Sequence, residues 1–137
     1  GESAHHGCTI TGLRNVLLGK ETAKLLTSGC DNINMGSFAG YCISTGSGNV
    51  FLGCNAGRYA GTGLCNVVIG NGAAHELTSG CFNVAIGYNA LKKVAANNYN
   101  TVIGYGNLTC TCCPSCRTLA LPVCTRRRSA SRPSRTA

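Results

Sequence analysis

The stretch Asn83-Val84-Ala85-Ile86-Gly87-Tyr88-Asn89-Ala90-Leu91 is answered 17 residues later by Asn100-Thr101-Val102-Ile103-Gly104-Tyr105-Gly106-Asn107-Leu108. Stepping backwards by the same interval finds Asn66, Asn49, Asn32 and Asn15. A glycine stands four places after each of these asparagines: Gly19, Gly36, Gly53, Gly70, Gly87 and Gly104. Self-similarity at a fixed period marks a repeat architecture, in which each unit buries its apolar face against the next. Six 17-residue units therefore run from about Asn15 to Thr109. With the asparagine as unit position 1, every residue falls into a column.

Positions 2 and 4 are almost always apolar: Val16/Leu18, Ile33/Met35, Val50/Leu52, Val67/Ile69, Val84/Ile86 and Thr101/Ile103. Residues two apart share one face of a strand, and β-branched residues favour strands. The columns predict a short strand with positions 2 and 4 facing inward. Position 3 then faces outward, with Leu17, Asn34, Phe51, Val68, Ala85 and Val102. Position 8 is small in Thr22, Ala39, Ala56, Ala73 and Ala90. This suggests a second extended segment through positions 8–12, with a helical turn as the alternative at Ala90-Leu91-Lys92-Lys93. Gly29, Gly46, Gly63 and Gly80 form a second glycine column at position 15, continued by Asn97 and preceded by Gly12. Because Asn substitutes best for Gly where φ is positive, this column is expected to be a left-handed turn. Thr27-Ser28 and Thr78-Ser79 supply turn chemistry just before it.

The expected fold is all-β: a parallel β-solenoid or β-roll of about six coils, stacked about 4.8 Å apart. Residues 1–109 form the repeat domain, with its core at 15–109. Residues 110–137 are a Cys/Arg-rich, irregular tail, expected to be disordered. The asparagine column is expected to be an internal amide ladder, structural and not ligand-binding. A 17-residue coil encloses few side chains, so the position-3 row is expected to pack between chains. A homotrimer would bury that row along its axis, with Asn34 as the one polar layer.

Composition excludes several classes. The chain has 19 Gly, no Trp and few aromatics, and its Gly has no three-residue period, so it is not collagen-like. No apolar run approaches the ~20 residues that span a bilayer, and the first eight residues do not resemble a signal peptide. The chain does not begin with Met, so an upstream part is expected to be missing. Of the net charge of +8, residues 110–137 carry +6 and residues 1–109 only +2. The tail, with Arg126-Arg127-Arg128, is suited to contact with anionic surfaces or nucleic acid by charge alone, with no specific nucleic-acid recognition.

Eleven cysteines include Cys8, Cys42 and Cys110 at position 11, and Cys30 and Cys81 at position 16. Cys8 and Cys42 are two coils apart, roughly 10 Å by strand spacing, beyond disulfide reach. Buried thiols and interchain bonds both stay open, and the odd total leaves at least one thiol free or intermolecular. Cys110, Cys112, Cys113 and Cys116 are weak zinc candidates with only one CxxC. No other metal, cofactor or catalytic set appears. His5-His6 is a terminal pair, and His75 is expected to be solvated. Glu21, Asp31 and Glu76 are scattered, without the paired carboxylates of a glycosidase. The chain is expected not to be an enzyme.

The segments quoted at the outset resemble the repeats of phage-type tail fibre proteins, and in pattern the shorter repeats of trimeric autotransporter adhesin heads. The resemblance covers about 95 residues, all within the repeat. It implies a trimeric, left-handed parallel β-roll in an elongated surface fibre, extracellular or on a virion, that supports host or surface attachment. Many phage-type members end in a self-cleaving chaperone domain that assembles the trimer; the present residues include no such segment, and the family's repeats are usually poor in cysteine. The expected function is a structural or adhesive fibre segment. The alternative is a receptor- or glycan-binding module using the turn residues Arg58, Tyr59, Tyr88 and Tyr105.

Overall fold

The computed structural model describes residues 9–106. They form a β-solenoid whose one sheet has six three-residue strands: β1 (Val16–Leu18), β2 (Ile33–Met35), β3 (Val50–Leu52), β4 (Val67–Ile69), β5 (Val84–Ile86) and β6 (Thr101–Ile103). All pair in parallel and in chain order. The register is that of the sequence period: Val50 pairs with Val67, Phe51 with Val68, Leu52 with Ile69. Five coils are complete, a sixth begins at Asn100, and there is no helix among the described residues.

The first glycine column turns the chain out of the strand. Gly53 has φ +130°, and a Cβ there would lie 2.8 Å from the backbone of Gly70 in the next coil. The second glycine column corrects the expectation of a left-handed turn. Gly29, Gly46, Gly63, Gly80 and Asn97 do not have positive φ. Their constraint is close stacking: a Cβ at Gly46 would sit 2.6 Å from the carbonyl oxygen of Gly63.

The second extended segment is also corrected. Positions 6–11 are a run of turns in every complete coil, not a strand or a helix. Left-handed residues alternate along it, at position 7 (Glu21, Phe38, Asn55, Asn89) and position 9 (Ala23, Ala74, Leu91). Amides at alternate positions cross to the next coil, as in Gly40 N–H to Ala56 O at 2.9 Å and Cys42 N–H to Arg58 O at 2.8 Å. Others bond within the coil, as in Ile43 N–H to Gly40 O at 2.8 Å. The turn wall therefore satisfies its backbone by a ladder of its own, without extended geometry.

The largest correction concerns which strand face is inside. Phe51, Val68, Ala85, Val102 and Asn34 at position 3 are buried, and Leu17 packs partly against them. Positions 2 and 4 face out: Val16, Leu18, Ile33, Met35 and Ile103 are exposed, and the intervening pairs are half-buried. The core is position 3 packed against positions 8, 9 and 12 of the turn wall, including Ala56, Ala73, Leu26, Ile43 and Leu77. Asn34 is thus within its own coil, not on an axis between chains, and its amide has no hydrogen-bond partner.

Positions 3 and 9 compensate each other in size, as Phe51/Gly57, Val68/Ala74 and Ala85/Leu91 show. A Cβ on Gly57 would come within 2.8 Å of the Phe51 ring, and one on Gly40 within 2.9 Å. The largest core side chain fits because two coils leave it the space.

Candidate functional site

The asparagines at position 1 and the residues at position 3 share the inner face of the strand wall. In Asn49 the backbone N–H and Nδ2 both donate to Asn32 Oδ1, at 3.0 and 3.1 Å, and Nδ2 also donates to Gly63 O at 2.8 Å. Asn66 repeats this with Asn49 and Gly80, and Asn83 with Asn66 and Asn97. Each amide therefore ties its coil to the one before and fastens position 1 to position 15 within the coil. Asn32, Asn49, Asn66 and Asn83 are fully buried. Both Nδ2 hydrogens are used and Oδ1 accepts twice, so the column has no capacity left to hold a ligand. Asn15 and Asn100 continue it at the two ends.

Chemically varied side chains gather instead on the outside of the turn wall. Position 10 reads Lys24, Tyr41, Arg58, His75, Lys92, one per coil. The Arg58 guanidinium lies 4.9 Å from the Phe38 ring centroid, 5.5 Å from Tyr41 and 5.7 Å from Tyr59. Its Nη1 donates to Asn55 Oδ1 at 3.0 Å, while Nε is buried without a partner. Lys24 lies over the other side of Tyr41, 5.6 Å from its centroid. It also meets Glu21 at 3.4 Å. His75 stands edge-on to Tyr59 at 5.1 Å. Half-burial, with Arg58 and Lys92 nearby, lowers its pKa and favours the neutral ring. His75 is therefore not the solvated side chain expected from sequence; its Nδ1 is buried and unpartnered.

Of the turn residues predicted as contacts, the structure brings Arg58 and Tyr59 into this cluster. Tyr88 and Tyr105 lie apart from it in column 6, stacked on each other at 5.4 Å. Phe82 and Tyr99 make a second stack, at 5.2 Å, in column 17. Lys24, Phe38 and Tyr41 were not singled out from the sequence, and His75 was read only as a solvated side chain. Following position 10 down the period is the signal that finds most of them, since stacking at 17 residues places column mates side by side.

At the first coil, Arg14 Nη2 donates to Asp31 Oδ2 at 2.9 Å in an exposed pair that lowers the Asp31 pKa. Cys30, Cys42, Cys54, Cys65 and Cys81 are thiols. Burial pushes the Cys42 thiol pKa up, against a smaller opposing pull from Arg58. Cys8, His5-His6 and the zinc candidates Cys110, Cys112, Cys113 and Cys116 lie outside the described residues, as do Asn107 and the tail. Among the described residues no group of His, Cys, Asp or Glu is arranged to hold a metal ion. The described residues hold no helix long and apolar enough to cross a membrane. Comparison of the chain with protein-family models, with curated proteins and with solved structures finds no match to any of them.

Proposed function

We propose that the chain is a structural, adhesive fibre segment, like the tail fibre and adhesin stalks its repeats resemble, working at a virion or cell surface as one rod in a homotrimer. The observation that carries this is the outer face of the sheet. Val16, Leu18, Ile33, Met35, Val50, Leu52, Val67, Ile69, Val84, Ile86 and Ile103 make an aliphatic stripe along the described coils, interrupted there only by Thr101. Soluble monomers rarely leave such a stripe in water. Its side chains recur at one strand spacing, about 4.8 Å, so the partner that interdigitates along its full length is a rod of the same pitch. Other copies of this chain meet that condition. Threefold packing of the stripes places them on a common axis and turns the three turn walls outward to face a host or surface. In this role the rod performs no chemistry.

Light scattering on the full chain tests the trimer, with three times the monomer mass as the expected value. Ile69→Asp, on the outer face, should disperse the assembly and leave the solenoid's circular dichroism intact. Phe51→Asp should unfold it, because Phe51 is core. A stable, soluble monomer of the unmutated chain would overturn the trimer.

A further inference from the structure

Column 10 of the turn wall is a line of cations at alternate coils with rings between them. Lys24, Arg58 and Lys92 occupy the first, third and fifth coils, about 9.6 Å apart by strand spacing. Tyr41 and His75 fill the coils between, and Tyr59 leans on His75. No acid occurs in the column. Arg58 and Lys92 have no carboxylate partner within ion-pair distance among the described residues, whereas Lys24 meets Glu21 at 3.4 Å. Arg58 is also held in place, set against the Phe38 and Tyr41 rings and tethered to Asn55, so that its Nη2 is a fixed donor not engaged by another described residue.

We propose that this column is a track for an extended anionic polysaccharide with one carboxylate or sulfate on every second sugar. The proposal deepens the attachment role and rests on it. Three features select this ligand. An extended pyranose chain advances about one coil per sugar, so acids on alternate sugars fall in register with Lys24, Arg58 and Lys92. The uncharged sugars between them fall opposite Tyr41 and His75, which carry no fixed charge. Duplex DNA carries a charge every ~1.7 Å of axis. That is several times denser than one cation per ~9.6 Å, and most of its phosphates would go unmatched.

The test uses the full chain and four probes: hyaluronan (one carboxylate per disaccharide), alginate (one per sugar), neutral dextran and duplex DNA. Hyaluronan should bind most tightly. Lys92→Glu should weaken it about tenfold. Lys20→Glu, which changes net charge equally from exposed column 6, should change binding less than about twofold. Lys24→Gln provides a second on-column variant, expected to weaken hyaluronan binding with circular dichroism unchanged. Equal losses from Lys92→Glu and Lys20→Glu would assign binding to net charge, including the arginine-rich tail, and overturn the track. So would the absence of hyaluronan binding, or equally tight binding of alginate, dextran or DNA. Light scattering on the same samples separates the two proposals: a trimer that does not bind removes the track alone, whereas a monomer removes the fibre assembly.

Discussion

The two walls of the rod obey opposite rules. The strand wall puts the same residue in each coil at position 1, and its buried amides bond each coil to the next. The turn wall shares one backbone path, yet position 10 carries Lys, Tyr, Arg, His and Lys in successive coils. Apart from Thr22 Oγ1 to Gly36 O, its coil-to-coil bonds come from main-chain groups, such as Gly57 N–H to Ala73 O at 2.9 Å. Where side chains form the ladder, identity is fixed; where the backbone forms it, the outward side chains are free to specialise. One wall keeps the fold and the other is open to recognition.

Breaking the strand wall should have the largest effect. Asn66→Ala removes the acceptor for Asn83 N–H and Nδ2 and the donor to Gly80 O. Each buried group left unpaired costs about 1–3 kcal/mol, so a loss of ~3–6 kcal/mol is expected in urea denaturation. An exposed residue of the turn wall, Asn71, should tolerate Ala within about 0.5 kcal/mol. Equal losses at the two sites would erase the contrast.

A smaller effect tests whether the turn wall is constrained on its inner side. Gly57→Ala places a Cβ against the Phe51 ring and at φ +56°, and should cost about 1–3 kcal/mol. Phe51→Ala alone should cost ~3–5 kcal/mol. In the double variant the new methyl enters the vacated space, so the combined loss should fall short of the sum by about 1 kcal/mol or more. Strict additivity would show that positions 3 and 9 do not share the core.

The smallest effect is a gain. Cys65 is exposed at φ +54°, in the same column as Gly48 at φ +67°. Cys65→Gly relieves the left-handed strain while freeing the unfolded chain, for a net stabilisation of about 0.5 kcal/mol. A lower melting temperature for this variant would indicate that the side chain at column 17 has a packing role.

The period, the strand positions and the parallel register were legible in the sequence, because the Asn and Gly columns fix all three at once. The buried strand face was not read correctly. With apolar residues at positions 2, 3 and 4, a three-residue strand offers little contrast between faces. Two signals pointed the right way. An inward Asn at position 1 requires an inward position 3, since they share a face. The reciprocal sizes of Phe51/Gly57 and Ala85/Leu91 mark columns that meet in a closed interior. The turn path had a broken signature: Gly40, Asn55, Gly57, Gly72 and Asn89 suit positive φ, but Glu21, Phe38 and Leu91 in the same columns do not announce it. The second glycine column was misread because sequence alone does not separate a turn glycine from one pressed against its neighbour. Column 10 went unseen because its members differ chemically, and only their spacing connects them.

The hydrogen bonds between coils point along the rod, which sets how it would respond to load. Tension applied to its ends pulls these bonds in line and opens them one coil at a time instead of shearing a whole sheet together. Each coil released frees 17 residues, about 55–60 Å of extended chain, in place of the roughly 5 Å it occupied when stacked. A rod built this way lengthens in steps under tension, dissipating work at each step while the coils still folded keep their shape.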